Sequence, residues 1–370
     1  MLDIRPFPPV VSLLGAHCNL EKRCLWGFFT ALLFGLIVTP KVIRFLSRHG
    51  IYQVFRSRQQ VHTLAILHNG KAGVPTMGGI SVLIASLSAA LLWASFNDLV
   101  IIALLVYLSC SLLGAVDDAA KIIRGNSKGL VAWQKLFVQA LITWGVWKLA
   151  MKSPPIGDIF TNVDWPRQIR GVDAEMIAVI LPIFYFLVIA GTSNGVNITD
   201  GIDGLAITNM LQCFIFFGVI AFFSCNAGVV NKSSLTYIGG ASELAVLCAC
   251  FAGGCLSFYW FNTHPAMVFM GDTGAIGLGG LLAIVAILLK QPFAIVLVGS
   301  VFVIETLSVA LQVTSKKLFH KKIFLMAPLH HHFELKGYTE RGIVRTVFVL
   351  QAICLAIAFC IIFYGCFARS

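Results

Sequence analysis

Charged residues are scarce in this sequence. Asp, Glu, Lys and Arg make up 12% of the 370 residues, whereas hydrophobic residues make up 58% and the mean hydropathy is +0.88. A soluble globular domain carries roughly twice that share of charge, so the composition excludes a soluble protein. We therefore expect an all-α integral membrane protein with many spans.

Acidic residues are scarcer than basic ones, with 16 against 27, which gives a net charge of +11. The sequence has no basic patch interleaved with aromatic residues, so nucleic-acid binding is not indicated. In a membrane protein an excess of Lys and Arg is typical of cytoplasmic loops.

Paired cysteine motifs and a cleavable signal are both lacking. The eleven cysteines form no CxxC pair and mostly lie inside apolar runs, which is typical of small buried hydrophobic residues rather than disulfides. Residues 1–23 mix charged side chains with a short apolar patch, which is unlike a cleavable signal. We expect them to form an extracytoplasmic or interfacial segment ahead of one polytopic domain, residues 24–370.

Long apolar runs are abundant. A helix needs about 20 such residues to cross a bilayer, and about ten segments qualify: 24–43, 78–96, 99–116, 133–150, 176–191, 205–224, 242–261, 274–290, 293–313 and 344–367. An even count puts both termini on one side. The segment 151–175, between spans four and five, is too polar to cross and is predicted to be a short extracytoplasmic hairpin.

Positive charge is distributed unequally among the loops. It concentrates before span two, between spans three and four, and after span nine. The positive-inside rule predicts that these loops are cytoplasmic and that both termini are extracytoplasmic. The unusual polar clusters fall on the same side, so we expect an active site that faces the cytoplasm.

One polar cluster, residues 194–204, separates two apolar runs and contains two carboxylates, two amides and three glycines. Irregular backbone at membrane depth is tolerated where it is buried or lines a cavity. The stretch therefore indicates the floor of a site. In the alternative interpretation, Asp200 and Asp203 cap the next helix and the glycines form turns.

Two adjacent carboxylates, Asp117 and Asp118, directly follow the third apolar run. Such a pair repels itself, and a divalent cation or a proton held for general-base catalysis would relieve the repulsion. The alternative is a solvated helix end paired with Lys121. Lys135 adds a positive charge with no carboxylate near it in the sequence.

Two further carboxylates stand out. Asp272 precedes a long apolar helix within Gly-Asp-x-Gly, a pattern that suits a metal-bridged phosphate. Glu305 lies inside a predicted span and should face the bundle interior, because facing lipid would cost about 2.5–3.5 kcal/mol.

In the glycine-rich segment 68–79, Lys71 suits a phosphate or carboxylate, although a flexible basic loop remains an alternative.

Three consecutive histidines, His330, His331 and His332, follow the last basic loop. Neighbouring side chains diverge by about 100° on a helix or alternate on a strand, so the three cannot share one metal and zinc is disfavoured. Imidazoles that donate to phosphate or hydroxyl oxygens fit better.

These motifs together resemble the phospho-N-acetylmuramoyl-pentapeptide transferase family. The resemblance rests on Pro75-Thr76-Met77-Gly78-Gly79, Asp117-Asp118, residues 194–206, Phe269-Met270-Gly271-Asp272-Thr273-Gly274 and residues 327–334, which contain the most specific part, the histidine stretch. It implies transfer of phospho-MurNAc-pentapeptide from UDP-MurNAc-pentapeptide to undecaprenyl phosphate with Mg²⁺, which makes lipid I for the cell wall. It also implies a multi-pass protein of the bacterial cytoplasmic membrane and a homodimer.

The resemblance implies roles for individual residues. Asp272 and Asn194 would bind Mg²⁺, Asp117 would act as general base, and Asp118 would support the metal or the lysines. The remaining substrate-binding residues would be Lys71, Thr76, Asn197, Asp200, Asp203, Phe269 and Gln312 at the nucleoside end, and Lys121, Lys135, His330, His331 and His332 at the phosphate, sugar or peptide.

Two alternatives stay open from the sequence. A sister enzyme that moves N-acetylglucosamine-1-phosphate onto polyprenyl phosphate would share the aspartate motifs but typically lacks the histidine stretch. A transporter or flippase would also suit an intramembrane Glu305 and many glycines. It predicts mid-span polar residues and an internal repeat, whereas here the acids gather in loops and no repeat is evident.

Overall fold

The computed structural model describes residues 18–53, 73–125, 129–161 and 174–368. These residues form helices and loops, with one isolated bridge between Tyr52 and Pro75. Most of the predicted N-terminal segment lies outside the described residues. The first helix begins at Leu20, so the predicted boundary at residue 23 falls inside that helix.

Fourteen α-helices follow one another in the described residues. They are α1 Leu20–Arg48, α2 Gly79–Trp93, α3 Asp98–Arg124, α4 Ala132–Ala150, α5 Pro154–Thr161, α6 Ala174–Thr199, α7 Leu205–Ser224, α8 Ala227–Val230, α9 Ala241–Asn262, α10 Gly271–Leu288, α11 Ile295–Val298, α12 Ser300–Phe319, α13 Leu329–Leu335 and α14 Glu340–Ala368. A 3₁₀ turn, Pro292–Ala294, precedes α11.

Nine of the ten predicted spans each coincide with one helix, and the all-helical membrane architecture is confirmed. By length and composition seven helices of the described chain can cross a membrane, or eight if one bent pair counts as a single span. The ninth predicted span is that bent pair, because Pro292–Val298 and Ser300–Phe319 meet at 83°. The count of ten spans, the side of the termini and the extracytoplasmic side of the hairpin stay predictions. Helix α5 lies within the predicted hairpin segment 151–175.

Helix α10 forms the centre of the bundle. It is almost entirely buried, and it packs against α3 and α6. Glycines permit these close contacts: a Cβ added at Gly279 would lie 2.6 Å from Ser193 Cα, and one at Gly114 would lie 2.5 Å from the carbonyl carbon of Asp272. Close packing through small residues is typical of membrane helices.

At the end of the bundle away from Asp272, a partly buried ion pair joins α1 to α9. The guanidinium of Arg23 donates to both carboxylate oxygens of Glu243 at 2.9 and 2.6 Å, and also to the carbonyl of Trp93. The same carboxylate accepts from the backbone N–H of Ser95. These bonds satisfy two charges that would otherwise be costly at membrane depth, and they tie the two helices to the end of α2.

Candidate active site

Three carboxylates meet where α3 ends and α10 begins. Asp117, Asp118 and Asp272 are 0%, 4% and 8% exposed, and each offers an oxygen within 4.8 Å of the others. Asp117 and Asp118 come from the last turns of α3, whereas Asp272 lies in the first turn of α10. The alternative of a solvated helix end is therefore wrong, because the adjacent pair is buried, although the pairing with Lys121 that it included is present.

Asp118 caps the N-terminus of α10. Its carboxylate accepts hydrogen bonds from the backbone N–H groups of Asp272 at 3.2 Å and Thr273 at 2.9 Å, and from the hydroxyl of Thr273 at 2.9 Å. These bonds satisfy N–H groups that a helix leaves free at its start. The preceding Gly271 has φ +73°, and a Cβ there would lie 2.8 Å from Asp118 Oδ2, so glycine is required at this approach.

Two lysines neutralise the carboxylates. Lys121 Nζ lies 2.7 Å from both Asp117 Oδ2 and Asp272 Oδ1. Lys135 Nζ, from α4, lies 3.0 Å from Asp117 Oδ2 and 2.8 Å from Asp272 Oδ2. Three carboxylates against two ammonium groups leave one negative charge when all are ionised. The positive charge of Lys135 thus finds its partners on helices far away in the sequence.

The loop between α3 and α4 closes over Asp117. The backbone N–H of Leu130 donates to Asp117 Oδ1 at 2.6 Å. The neighbouring Gly129 leaves no room for a side chain, because a Cβ would lie 2.6 Å from Asp117 Cγ. Asp117 is thus held by a backbone donor on one oxygen and by two lysines on the other.

Helix α6 supplies an amide side chain to the cluster, and this amide comes from Asn197 rather than from Asn194. Asn197 Nδ2 donates to Asp272 Oδ2 at 3.1 Å. Asn194, which the sequence places at the metal, instead donates to Gln139 Oε1 at 2.9 Å and Ala190 O at 2.8 Å. These bonds turn the Asn194 side chain to α4 and to its own helix, and its assignment to the metal stays a prediction.

Asp203, in the glycine-rich loop after α6, does not cap the next helix. Gly204, which has no side chain, is the N-cap of α7, and its backbone N–H donates to Asn262 Oδ1 at 3.1 Å. Asp203 Oδ2 instead accepts from His264 Nδ1 at 3.0 Å and from the N–H of Ala266 at 3.1 Å. Glu340, at the start of α14, accepts from the N–H of Asp203 at 3.2 Å. The capping alternative is therefore wrong for Asp203.

Asp200 lies in the same loop and is partly buried. Burial, together with the charges of Asp272, Asp118 and Asp203, raises the pKa of Asp200 to about 7, although a hydrogen bond from the backbone of Gly271 opposes the shift. The carboxyl of Asp200 therefore changes its charge near neutral pH, unlike an ordinary aspartate.

The histidine stretch opens α13, and its first member faces the loop after α6. His330 is 1% exposed, and a Cβ at Gly201 would lie 2.8 Å from His330 Cε1. The ring nitrogens of His330 make no hydrogen bond within the described chain, although Nδ1 lies 3.3 Å from Glu305 Oε2. Glu305 is 5% exposed, so its predicted interior orientation is confirmed.

The other predicted residues of this region make separate contacts. His331 Nδ1 lies 2.6 Å from Glu334 Oε2, and His332 Nδ1 accepts from the N–H of Leu325. Gln312 bonds the backbone of the loop before α13, through Ile323 N, Phe324 N and Phe324 O. Its assignment to the nucleoside end stays a prediction.

The segment before α2 also reaches the cluster. A Cβ at Gly271 would lie 3.1 Å from Thr76 Oγ1, which puts the Thr76 side chain beside Asp118. Phe269 is partly buried and pairs by its backbone with Pro75 and Gly78. Lys71 lies outside the described residues. Four contributors escaped the sequence analysis: the hydroxyl of Thr273 and the side chains of His264, Glu340 and Gln139.

The donor set of the cluster fits a hard divalent cation. Mg²⁺ prefers oxygen ligands and is commonly held by one or two carboxylates together with substrate phosphates. Asp117, Asp118 and Asp272 offer carboxylate oxygens within 4.8 Å of one another. The lysine ammonium groups that contact these oxygens also suit phosphate, so the cluster offers groups for both a metal and a diphosphate.

Comparison with known proteins gives consistent matches. Residues 100–290 match the family described as glycosyl transferase family 4. The phospho-N-acetylmuramoyl-pentapeptide-transferase of Citrifermentans bemidjiense is 40% identical over 354 residues, which cover 95% of this chain and 96% of that protein. The protein with the same description from Geobacter sp. strain M21 is 40% identical over 362 residues, with the same coverage of both chains.

Proposed function

This chain belongs to the phospho-N-acetylmuramoyl-pentapeptide-transferase family, and we propose that it transfers phospho-MurNAc-pentapeptide from UDP-MurNAc-pentapeptide to undecaprenyl phosphate. The products are lipid I and UMP. The chain is a multi-pass membrane phosphoglycosyl transferase of peptidoglycan synthesis. The observation that carries the residue-level proposal is the buried cluster of three carboxylates and two lysines at the junction of α3, α4, α6 and α10.

Phosphoryl transfer asks the protein mainly for positioning and for stabilisation of charge. In our proposal Asp272, supported by Asp118, would hold Mg²⁺, which when bound neutralises charge on the phosphate oxygens and polarises them. Asp118 also keeps its bonds to the first turn of α10, so it fixes the orientation of Asp272. Asn197, rather than Asn194, supplies the neighbouring amide.

Lys121 and Lys135 supply the positive charge that a diphosphate requires. Both ammonium groups bridge Asp117 and Asp272, so they lie where donor phosphates would meet the carboxylates. We propose that they bind the phosphoryl oxygens of the donor and stabilise the charge that moves to UMP. Charge-assisted bonds in a buried site are roughly twice as strong as neutral ones.

Asp117 is proposed as the general base. It is fully buried, and one of its oxygens is fixed by Leu130 N, so its direction is constrained. In this role it accepts a proton from the lipid phosphate, whose oxygen then attacks the donor's β-phosphorus, the one that carries the sugar, and displaces UMP. We favour direct attack over a covalent aspartyl intermediate, because a phosphate oxygen placed in line is already a capable nucleophile.

The remaining predicted residues surround this centre. Thr76 and Asp200 lie beside Gly271, and Asp203 and Phe269 belong to adjoining loops, so we assign these four to the nucleoside end with Lys71 and Gln312. His330, buried against Gly201, is assigned with His331 and His332 to the phosphate, sugar or peptide. The cluster lies at one end of the bundle, which we propose faces the cytoplasm of a bacterial inner membrane, in agreement with the basic loops. A homodimer is also part of the proposal.

The experiment that tests this function is UMP release by the purified protein in detergent. Undecaprenyl phosphate and Mg²⁺ are supplied with UDP-MurNAc-pentapeptide in one reaction and with UDP-GlcNAc in another. We expect release with the first donor only, and loss of release when EDTA removes the metal. Release with UDP-GlcNAc only would move the protein to the sister activity, and no release with either donor from folded protein would contradict the transferase assignment.

A further inference from the structure

The break between α11 and α12 is held by a glutamine from another helix. At an 83° bend the helix ladder is interrupted, and the backbone groups that it frees need partners, because an unsatisfied group in a membrane costs several kcal/mol. Gln351, in the middle of α14, is 0% exposed. Its Oε1 accepts from Val301 N at 3.3 Å and from Ser300 Oγ at 3.0 Å, and its Nε2 donates to Val298 O.

The side-chain amide of Gln351 thus bonds both sides of the break. Its NH₂ group donates to Val298 O at the end of α11, and its oxygen accepts from Val301 N at the start of α12. A third helix joins this contact, since the thiol of Cys213 on α7 donates to the same carbonyl of Val298 at 3.0 Å. An apolar residue at position 351 could provide neither bond. The direction of α12 therefore depends on Gln351.

Side chains of α12 in turn hold the segment that leads into the histidine stretch of α13 by hydrogen bonds. Glu305, one and a half turns beyond the break, accepts from the backbone N–H groups of Leu329 at 2.6 Å and His330 at 3.2 Å. Gln312 accepts from Ile323 N and Phe324 N at 3.0 Å. The segment 323–330 is thus bonded to two side chains of α12, and a rotation of α12 at the break would carry His330 away from Gly201.

We propose that Gln351 is a positioning residue of the transferase reaction, which fixes α12 at its break and through it holds His330 at the active site. The inference rests on the proposed role of His330 for its effect on activity. The structural consequence, which is that segment 323–330 is ordered by Gln351, is independent of the role of His330. Gln351 touches none of the three clustered carboxylates and acts only through α12.

The test replaces the amide by an apolar side chain of similar size, Gln351→Leu, in the full-length protein in detergent. Hydrogen exchange by mass spectrometry is measured over segment 323–330, and kcat and KM are measured for both substrates. We expect faster exchange in that segment and a kcat lowered by roughly tenfold or more, since a displacement of about 1 Å in a site can cost 100-fold. Exchange at Leu130 and Thr273, which the carboxylates hold, stays as in the wild type.

The matched control is Gln212→Leu. Gln212 is also a buried glutamine between α7 and α14, and it donates to the carbonyl of Phe348 at 3.3 Å, but none of its hydrogen bonds is to the break. We expect its exchange in segment 323–330 and its kcat to stay within about twofold of the wild type. If Gln351→Leu does not fold, Ser300→Ala, which removes one bond to the same amide, is expected to give a smaller increase in the same segment.

Three results of the exchange measurement would overturn the proposal. They are unchanged exchange in segment 323–330, an increase that is equal at Leu130 and Thr273, and an equal effect of Gln212→Leu. Faster exchange with unchanged kcat would also overturn the positioning role, because the ordered segment would then have no part in catalysis. Absence of UMP release from the wild-type protein would instead count against the proposed function, since the exchange measurement is independent of it.

Discussion

The contact between α3 and α10 at Gly114 makes the sharpest test of the carboxylate cluster. A Cβ at this position would lie 2.5 Å from the carbonyl carbon of Asp272 and 2.7 Å from the backbone nitrogen of Thr273. Both atoms belong to the backbone of a buried helix, so neither can rotate aside. Gly114 is also three and four residues before Asp117 and Asp118, and such residues share one face of a helix.

The substitution Gly114→Ala therefore has a calculable effect. Ordinary contact begins at 3.4 Å, so the two helices must separate by about 1 Å at the level of the site. The bonds of 2.9 Å from Thr273 to Asp118 and of 2.7 Å from Lys121 to Asp272 cannot all survive that shift. We expect a loss of about 1–3 kcal/mol in stability from overpacking and a fall in kcat of roughly 100-fold.

The assay is UMP release at saturating concentrations of both substrates, with the unfolding temperature measured on the same protein. Gly145→Ala is the control. Gly145 is an exposed residue inside α4, and a Cβ there would meet nothing within 4 Å. This variant gains the same helix propensity, about 1 kcal/mol, without touching the site, so its kcat should equal that of the wild type.

A folded Gly114→Ala protein with wild-type kcat would refute the reasoning. It would mean that the spacing of α3 and α10 at Gly114 does not set the geometry of the three carboxylates. An equal loss of activity in Gly145→Ala would refute it as well, because added helix propensity alone would then explain the effect.

Three further predictions concern single side chains of the site. Asp117→Asn should lower turnover by about 10²–10⁴-fold, the usual contribution of a general base, while the affinity for the UDP donor is kept; lost donor affinity in folded protein would count against the assignment. Thr273→Val, which keeps the shape but removes the hydroxyl donor to Asp118, should cost about 1.5–3 kcal/mol, measured as a lower unfolding temperature than that of the wild type. Burial raises the pKa of Asp200 to about 7, whereas an aspartate in the unfolded chain loses its proton at about pH 4. Between about pH 4 and 7 the folded state therefore holds a proton that the unfolded state does not. Stability of the metal-free protein should therefore fall as pH rises through this range, and less steeply in Asp200→Asn; an identical slope in both proteins would contradict the raised pKa.

Hydropathy and the motifs predicted a large part of the architecture and the family. The ten apolar runs all correspond to helices, because the need to satisfy backbone groups in lipid makes a long apolar run helical whatever its neighbours are. The burial of Glu305 followed from the cost of exposing a carboxylate to lipid. The family was recognisable from the aspartate motifs and the histidine stretch.

The choice of partners depended on tertiary contacts. Asn194 and Asn197 are three residues apart on one helix, about 60° around its axis, so periodicity cannot tell which of them reaches Asp272. Packing against Gln139 of α4 decides this by bonding Asn194. Capping of the next helix was likewise an open alternative for Asp203, which instead bonds His264, a contact that no local pattern indicates.

The sequence by itself determined a helical membrane protein, because a long apolar run in lipid must satisfy its own backbone groups. It placed Asp117, Asp118 and Asp272 in loops, whereas the structure places them inside the ends of α3 and α10. Only the tertiary structure decided that Lys135 of α4 neutralises Asp117 and Asp272, and that Gln351 of α14 fills the break before α12. These contacts join helices far apart in the chain. Their geometry is set by how glycines let helices approach one another, which no single segment encodes.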